Sequence, residues 1–161
     1  MSFFTAKTAP GAANPTNQFQ VLVDSDAFIG WLVAADAHHQ IAAAIFQTLQ
    51  DRQILLTASN LVIAETATVL SYRHGQSLAT KFLATIRDSH FPIIHIDEAL
   101  HQAALEIFRQ QPHRGTSVTD CANVAVMHRF NIPAIFSFDQ FYAKQFGLAT
   151  ATEVYDEAMQ V

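Results

Sequence analysis

Short, wholly apolar runs restrict the fold of this chain more than any other feature. Val21-Leu22-Val23 and Ala134-Ile135-Phe136 show no alternation with polar residues, and Gln53–Thr57 and Pro92–Ile96 are similarly brief and apolar-rich. A strand with no polar side is buried on both faces, which is the mark of a parallel sheet. The stretches between the runs repeat apolar residues at helical spacing. Strands alternating with helices predict an α/β protein whose parallel sheet is covered on both sides. In such sheets ligands gather at the carboxyl ends of the strands.

The first strand is expected over Gln20–Asp24, followed by a helix capped by Ser25 or Asp26 that carries Phe28, Ile29, Leu32 and Val33. A second helix begins after Asp36 and places Ile41, Ala44, Ile45, Thr48 and Leu49 on one face. After the Gln53–Thr57 strand, Ser59 or Asn60 caps a helix ending at His74-Gly75, and residues 77–88 form another with Leu78, Phe82 and Ile86 together. The Pro92–Ile96 strand leads to a helix over 97–110 with Leu100, Ala103, Ala104, Ile107 and Phe108 inward. A loop at Pro112-His113-Arg114-Gly115 precedes a helix over 118–130, then a strand over Ala134–Phe138. A short helix over 140–146 ends at Gly147, and a weak strand is expected near Glu153-Val154-Tyr155. Residues 1–18 read as a flexible tail, since Pro10-Gly11-Ala12-Ala13-Asn14-Pro15 suits no regular element. Residues 19–161 then form a single domain, as 161 residues allow.

Half the residues are hydrophobic and 14% are charged, so a packed core is expected. The lone cysteine, Cys121, excludes an internal disulfide and fits a reducing, cytoplasmic setting. No apolar run is long enough for a membrane span, and Phe3-Phe4 starts no signal-peptide core, so neither a membrane nor a secretory route is expected.

Four acids stand where these elements begin and end. Asp24 closes the first strand, Glu65 lies inside Leu61-Val62-Ile63-Ala64-Glu65, Asp120 follows Thr119 at a helix head, and Asp139 closes the Ile135–Phe138 run. A carboxylate beside so much apolar sequence is costly unless its charge is compensated. Each has an ordinary explanation. Asp24 and Asp120 suit helix caps, Glu65 suits a solvated helix face, and Asp139 suits a turn. All four arising at such places through capping alone is much harder to accept, and a divalent cation held by oxygen ligands is a natural shared compensator. Setting these four aside leaves a balance of −1 out of a net −5, so the chain lacks the basic surplus common among nucleic-acid binders.

Other chemistries find less support. Adjacent His38 and His39 face different ways on a helix, and His95 reads as a satisfied strand residue. Cys121 has no ligand-spaced partner for zinc and fits a small core position. Five glycines, none paired, make no phosphate-binding loop.

The order Val21-Leu22-Val23-Asp24-Ser25, Leu61-Val62-Ile63-Ala64-Glu65, Thr116-Ser117-Val118-Thr119-Asp120-Cys121 and Ile132-Pro133-Ala134-Ile135-Phe136-Ser137-Phe138-Asp139 resembles the PIN-domain family, above all the VapC-type toxins of bacterial toxin–antitoxin pairs. The acids are 41, 55 and 19 residues apart, and the resemblance covers about residues 19–148. It implies a three-layer α/β/α sandwich with a central parallel sheet. It also implies a magnesium- or manganese-dependent endoribonuclease with Asp24, Glu65, Asp120 and Asp139 as catalytic and metal-holding acids. Ser137 would orient the last acid or a bound water. Asp26, where the family often has Ser or Asn, either adds a ligand or only caps a helix. Asn123, on the Asp120 face, either supports a metal-bound water or does nothing. Arg73, Lys81 and Arg114, with His74, Arg87 and His113, are the candidate contacts to the RNA backbone.

The resemblance further implies an RNA substrate and a cognate antitoxin, and a homodimer is expected beside them. The antitoxin's apolar contacts are expected on the helices at about 37–52 and 59–88. Two rivals were weighed. A haloacid-dehalogenase-like phosphatase would use Asp24-Ser25-Asp26, but no lysine lies between Lys81 and Lys144 and residues 140–143 hold no acid. A catalytically silent PIN module would bind RNA or protein without cutting, which the presence of all four acids disfavours.

Overall fold

The structure, a computed structural model, describes residues 19–112 and 114–153. The tail expected over residues 1–18 lies outside them, as does His113. Five strands, β1 (Val21–Val23), β2 (Leu56–Ser59), β3 (Ile93–Ile94), β4 (Ala134–Phe136) and β5 (Ala149–Thr150), form one sheet in the order β3-β2-β1-β4-β5. Every neighbouring pair is parallel, with Val21 beside Leu56 on one side and Ala134 on the other. The helices are α1 (Ser25–Leu32), α2 (His39–Asp51), α3 (Asn60–His74), α4 (Gln76–Asp88), α5 (Glu98–Arg109), α6 (Val118–Phe130) and α7 (Phe141–Phe146).

Strand alternation divides the core in two. Val21, Val23, Ala58 and Phe136 face a cluster holding Phe28 and Ile45, with Phe82 and Ile86. Leu22, Ile94 and Ile135 face the opposite cluster with Leu100, Val124, Met127 and Tyr142. Helices thus cover both faces, giving the expected three-layer sandwich. The winding runs outward from β1 to β3 and then jumps back to β4 on the other side of β1. The crevice between the carboxyl ends of β1 and β4 is therefore the topological switch point, where open α/β sheets bind ligands.

Several local expectations are corrected. β2 begins at Leu56 rather than Gln53, because Gln53 turns out of α2 with φ 56°. β1, β3 and β4 are shorter than expected, and His95 lies beyond β3 and is exposed. On α2 the buried face is Ala42, Ile45 and Phe46, leaving Ile41 38% exposed. On α4 Leu78 packs against the cluster that holds Phe82 and Ile86, as expected, and Ala79 is buried with them. On α5 Leu100 and Ala104 are buried, while Ala103 and Phe108 face outward. The last strand is Ala149–Thr150 and Glu153 is helical; Val154 and Tyr155 lie outside the described residues. Each error is about one helical step or one strand end, where apolar pattern discriminates least.

Candidate active site

Asp24 sits at the switch point because the β1–β4 ladder runs one residue past β1, with Asp24 N donating to Phe136 O at 3.0 Å. There the chain turns into α1 and Asp24 itself, rather than Ser25 or Asp26, is the cap: its Oδ1 accepts from Ser25 N at 2.8 Å. The same oxygen accepts from Asn123 Nδ2 at 3.1 Å, and Oδ2 accepts from the Tyr142 hydroxyl at 2.8 Å. The cap and the site residue are one group.

Asp120 combines two roles in the same way. Ser117 caps α6 and donates its backbone N–H to Asp120 Oδ2 at 2.8 Å, while Ser117 Oγ accepts from Asp120 N, a reciprocal capping box. The cap itself is Ser117, and Asp120 is its partner in the box rather than the cap. Its other oxygen, Oδ1, lies 3.4 Å from the Tyr142 hydroxyl. That hydroxyl therefore spans Asp24 and Asp120, and it also accepts from Asn123 Nδ2 at 3.0 Å. Asn123 is fully buried in α6. Its Nδ2 makes both of these contacts, while its Oδ1 is buried with no hydrogen-bond partner among the described residues.

Glu65 projects from the second turn of α3, whose N-terminus Ser59 caps. The Ser25 hydroxyl donates to Glu65 Oε1 at 3.1 Å and ties it to the residue after Asp24. On the opposite side Asp26 Oδ2 accepts from Ser137 Oγ at 3.0 Å and from Phe138 N at 2.8 Å, bolting α1 to the end of β4. Ser137 Oγ accepts in turn from Asp139 N at 3.1 Å, and Asp139 Oδ1 accepts from Phe141 N at 2.8 Å. Ser137 hence orients Asp139 through its backbone while giving its proton to Asp26. Asp26 is neither a helix cap nor a solvated acid.

The electrostatics follow from this crowding. Burial, then the neighbouring Asp26, pushes the Asp24 carboxyl up to about 8, against the opposing Tyr142 and Ser25 hydrogen bonds. Burial likewise raises Asp26, with Asp139 adding to it, and raises Asp120, with Glu65 and Asp139 adding to it. Among the described residues no Lys, Arg or His forms an ion pair with any of these five acids; the pairs that do form lie elsewhere. Five carboxylates within each other's field, unpaired, are what a bound cation would relieve.

The PIN-domain family model matches residues 21–145. The chain belongs to the PIN-domain family. Mycobacterium tuberculosis VapC20, a sarcin-ricin loop cleaving toxin, is structurally similar, with a TM-score of 0.69 at 24% identity; the match covers 78% of this chain and 95% of VapC20. Comparison with curated proteins gave no significant match.

The PIN-domain site fits a hard divalent cation by the chemistry of its donors. All are carboxylate oxygens, and Asp26 Oδ1 is buried with no hydrogen-bond donor among the described residues. The side chains as they stand do not form a ready cage: among the described residues no three of His, Cys, Asp and Glu are grouped closely enough to hold a metal. Among the described residues no histidine pairs with these acids; Cys121 is fully buried in the core, and burial pushes its thiol up to about 11.

The cationic residues expected along an RNA path are less concentrated. Arg73 is exposed in the last turn of α3 and Lys81 is exposed on α4, whereas Glu65 sits near the opposite end of α3. Arg87 pairs with Asp88 at 2.8 Å. Arg114 is exposed in the connection leading to Ser117, six residues before Asp120. Sequence reasoning missed Tyr142 and Ser25 as site residues. An aromatic three residues after Asp139 reads as core, and only the fold shows that its hydroxyl meets two acids.

Proposed function

We propose that this PIN domain is a metal-dependent endoribonuclease and the toxin of a toxin–antitoxin pair. One observation carries the reading: five carboxylates lie at the switch point of a parallel sheet with no cationic side chain paired to them among the described residues. Asp24, Glu65, Asp120 and Asp139 would hold magnesium or manganese. When bound, such an ion makes a water a nucleophile at neutral pH and offsets charge on the phosphate.

The chain's own residues do the positioning. Tyr142 and Asn123 fix both Asp24 oxygens. The Ser117 backbone fixes one Asp120 oxygen and leaves the other facing inward. Ser137 and Asp26 lock the backbone that presents Asp139. In the reaction, water oxygen bonds to phosphorus as the P–O3′ bond breaks. The water proton passes to a site carboxylate and the departing O3′ gains a proton, leaving 5′-phosphate and 3′-hydroxyl ends. The relationship in fold to VapC20 supports RNA as the substrate.

An antitoxin would cover apolar surface. Ile41 on α2, Tyr72 on α3 and Leu83 on α4 are exposed, Tyr72 by 88%, on the helices expected to receive it. The purified chain, free of any partner, should cut RNA with magnesium or manganese and stop with EDTA. Equal cutting in EDTA rejects the metal mechanism; RNA bound but never cut favours the silent-module reading. Co-expression with a neighbouring small gene product should give a complex with reduced cleavage, and gel filtration of the free chain tests the proposed homodimer.

A further inference from the structure

A chain of aromatic rings runs from the core of this protein to its surface and stops beside the acidic site. Phe46 meets Phe136 at 4.8 Å between centroids, Phe136 meets Phe138 at 5.8 Å, and Phe138 carries His38 stacked at 4.2 Å with only 13° between the planes. His38 is the terminal ring, and its side chain is 52% exposed. One face lies on Phe138 and the other has no ring partner among the described residues. We propose that this outer face of His38, backed by Phe138, is a stacking platform for one unpaired nucleobase of the RNA; the inference rests on the ribonuclease reading above.

Three observations support the placement. Phe138 immediately precedes Asp139, and its N–H is held by Asp26 Oδ2 at 2.8 Å, so the lower ring is fixed to the acidic cluster. Gly30, one helical turn after Asp26, lies against the stack: a Cβ there would sit in ordinary contact with both members, 3.5 Å from His38 Cβ and 3.6 Å from the Phe138 ring, so α1 backs the pair. The His38 backbone is itself fixed, its N–H donating to Asp36 Oδ1 at 2.8 Å and its carbonyl accepting from Ala42 N at 2.8 Å. A pre-ordered ring stack loses little entropy when a base joins it. The charge balance adds a reason: a chain of net charge −5 has weak general attraction for RNA, so binding must draw on contacts other than charge. Aromatic stacking of splayed bases is the main such contact for single strands.

The test uses the full chain carrying Asp120→Asn, with magnesium, and short fluorescein-labelled single-stranded RNAs read by anisotropy. Each RNA is paired with a version made abasic at one position, scanned along the strand. His38→Ala should weaken binding of the intact RNA by roughly 5- to 150-fold, the usual range for loss of one base–aromatic stack. His38→Phe should restore it. One abasic position should weaken binding to the His38 protein and make no difference to His38→Ala. Equal losses for intact and abasic RNA at every position would show that His38 only shields Phe138, and unchanged binding would also overturn the proposal, as would a loss confined to binding of a protein partner. If the His38 protein, without the Asp120 change, neither binds nor cuts RNA, the ribonuclease reading fails first.

Discussion

Replacing Asp24 by asparagine should stabilise the metal-free protein at neutral pH, although it removes a group at the centre of the site. The Asp24 carboxyl is 4% exposed and titrates at about 8 in the folded chain, against 3.8 for the ordinary side chain. Folding between those values therefore takes up a proton. For an acid raised in this way, its contribution is most favourable below pH 3.8, is lost as pH rises, and levels off above about 8. One such group lowers stability by about 1.4 kcal/mol per pH unit, or about 4 kcal/mol between pH 4 and pH 7. That is a large share of the ~5–15 kcal/mol stability of a typical domain.

Asparagine carries no such penalty and keeps the contacts. Its Oδ1 can accept from Ser25 N and Asn123 Nδ2, while its Nδ2 faces the Tyr142 oxygen, whose proton is then free to turn toward Asp120 Oδ1 at 3.4 Å. Allowing about 1 kcal/mol for imperfect hydrogen bonding, Asp24→Asn should gain about 4 kcal/mol at pH 7.5 in EDTA. Urea unfolding followed by circular dichroism at pH 5, 6, 7 and 8 measures this. The wild-type curve should fall by about one proton's worth or more per pH unit. The variant's should be shallower, with the residual slope coming from Asp26 and Asp120, which burial also raises. A variant that is less stable than wild type at pH 7.5 in EDTA, with the pH slope unchanged, would refute the view of Asp24 as a strained, uncompensated acid.

Three further outcomes follow from the same contacts. Asp120→Asn should stay folded, because the amide oxygen can still accept from Ser117 N, while cleavage falls by at least roughly 100-fold; Asp120→Ala should also lose the capping box and about 1 kcal/mol, read by thermal melting. Magnesium or manganese should raise the melting temperature of the wild type, by an amount near 2.7 kcal/mol at about a hundred times the dissociation constant, and EDTA should reverse it; calorimetry should find this gain lost in Asp24→Asn. Ser137→Ala leaves Asp26 with one donor and Asp139 N with no acceptor, so it should cost about 1–2 kcal/mol and lower kcat more than it raises KM.

The layer arrangement was legible because its signals are collective. Among the described residues, β1 to β4, α1 to α7 and the parallel sheet follow from apolar runs alternating with helical spacing, and no single residue decides them; β5 was expected four residues too late. What failed was local. The expected face of α2 included Ile41, but the buried residues are Ala42, Ile45 and Phe46, with Ala42 against Gly30 of α1, where a Cβ would come within 3.3 Å of the Ala42 Cβ. Helix α6 shows why periodicity has limits: Cys121 through Met127 are all buried between the sheet and its neighbours, leaving no polar face for a pattern to reveal.

The site was legible to the degree that charge and position suffice. Strand ends bring Asp24 and Asp139 to one edge of the sheet, whereas the sequence leaves two roles open for each of Asp26 and Asn123. Asp26 and Asn123 each hydrogen-bond another site residue, Asn123 through a buried contact to Asp24 and Asp26 through a part-buried contact from Ser137. That work depends on pairs 99 and 111 residues apart in sequence, and no spacing rule connects them. Tyr142 is the clearest case. Its ring belongs to the core cluster with Leu22 and Ile135, and its hydroxyl bridges two acids from α1 and α6. A residue that fills the core with one end and serves the site with the other looks purely apolar in sequence. Asn123 is a similar case: only the fold shows that it is fully buried and that its Nδ2 reaches Asp24 and Tyr142 at the sheet's carboxyl edge.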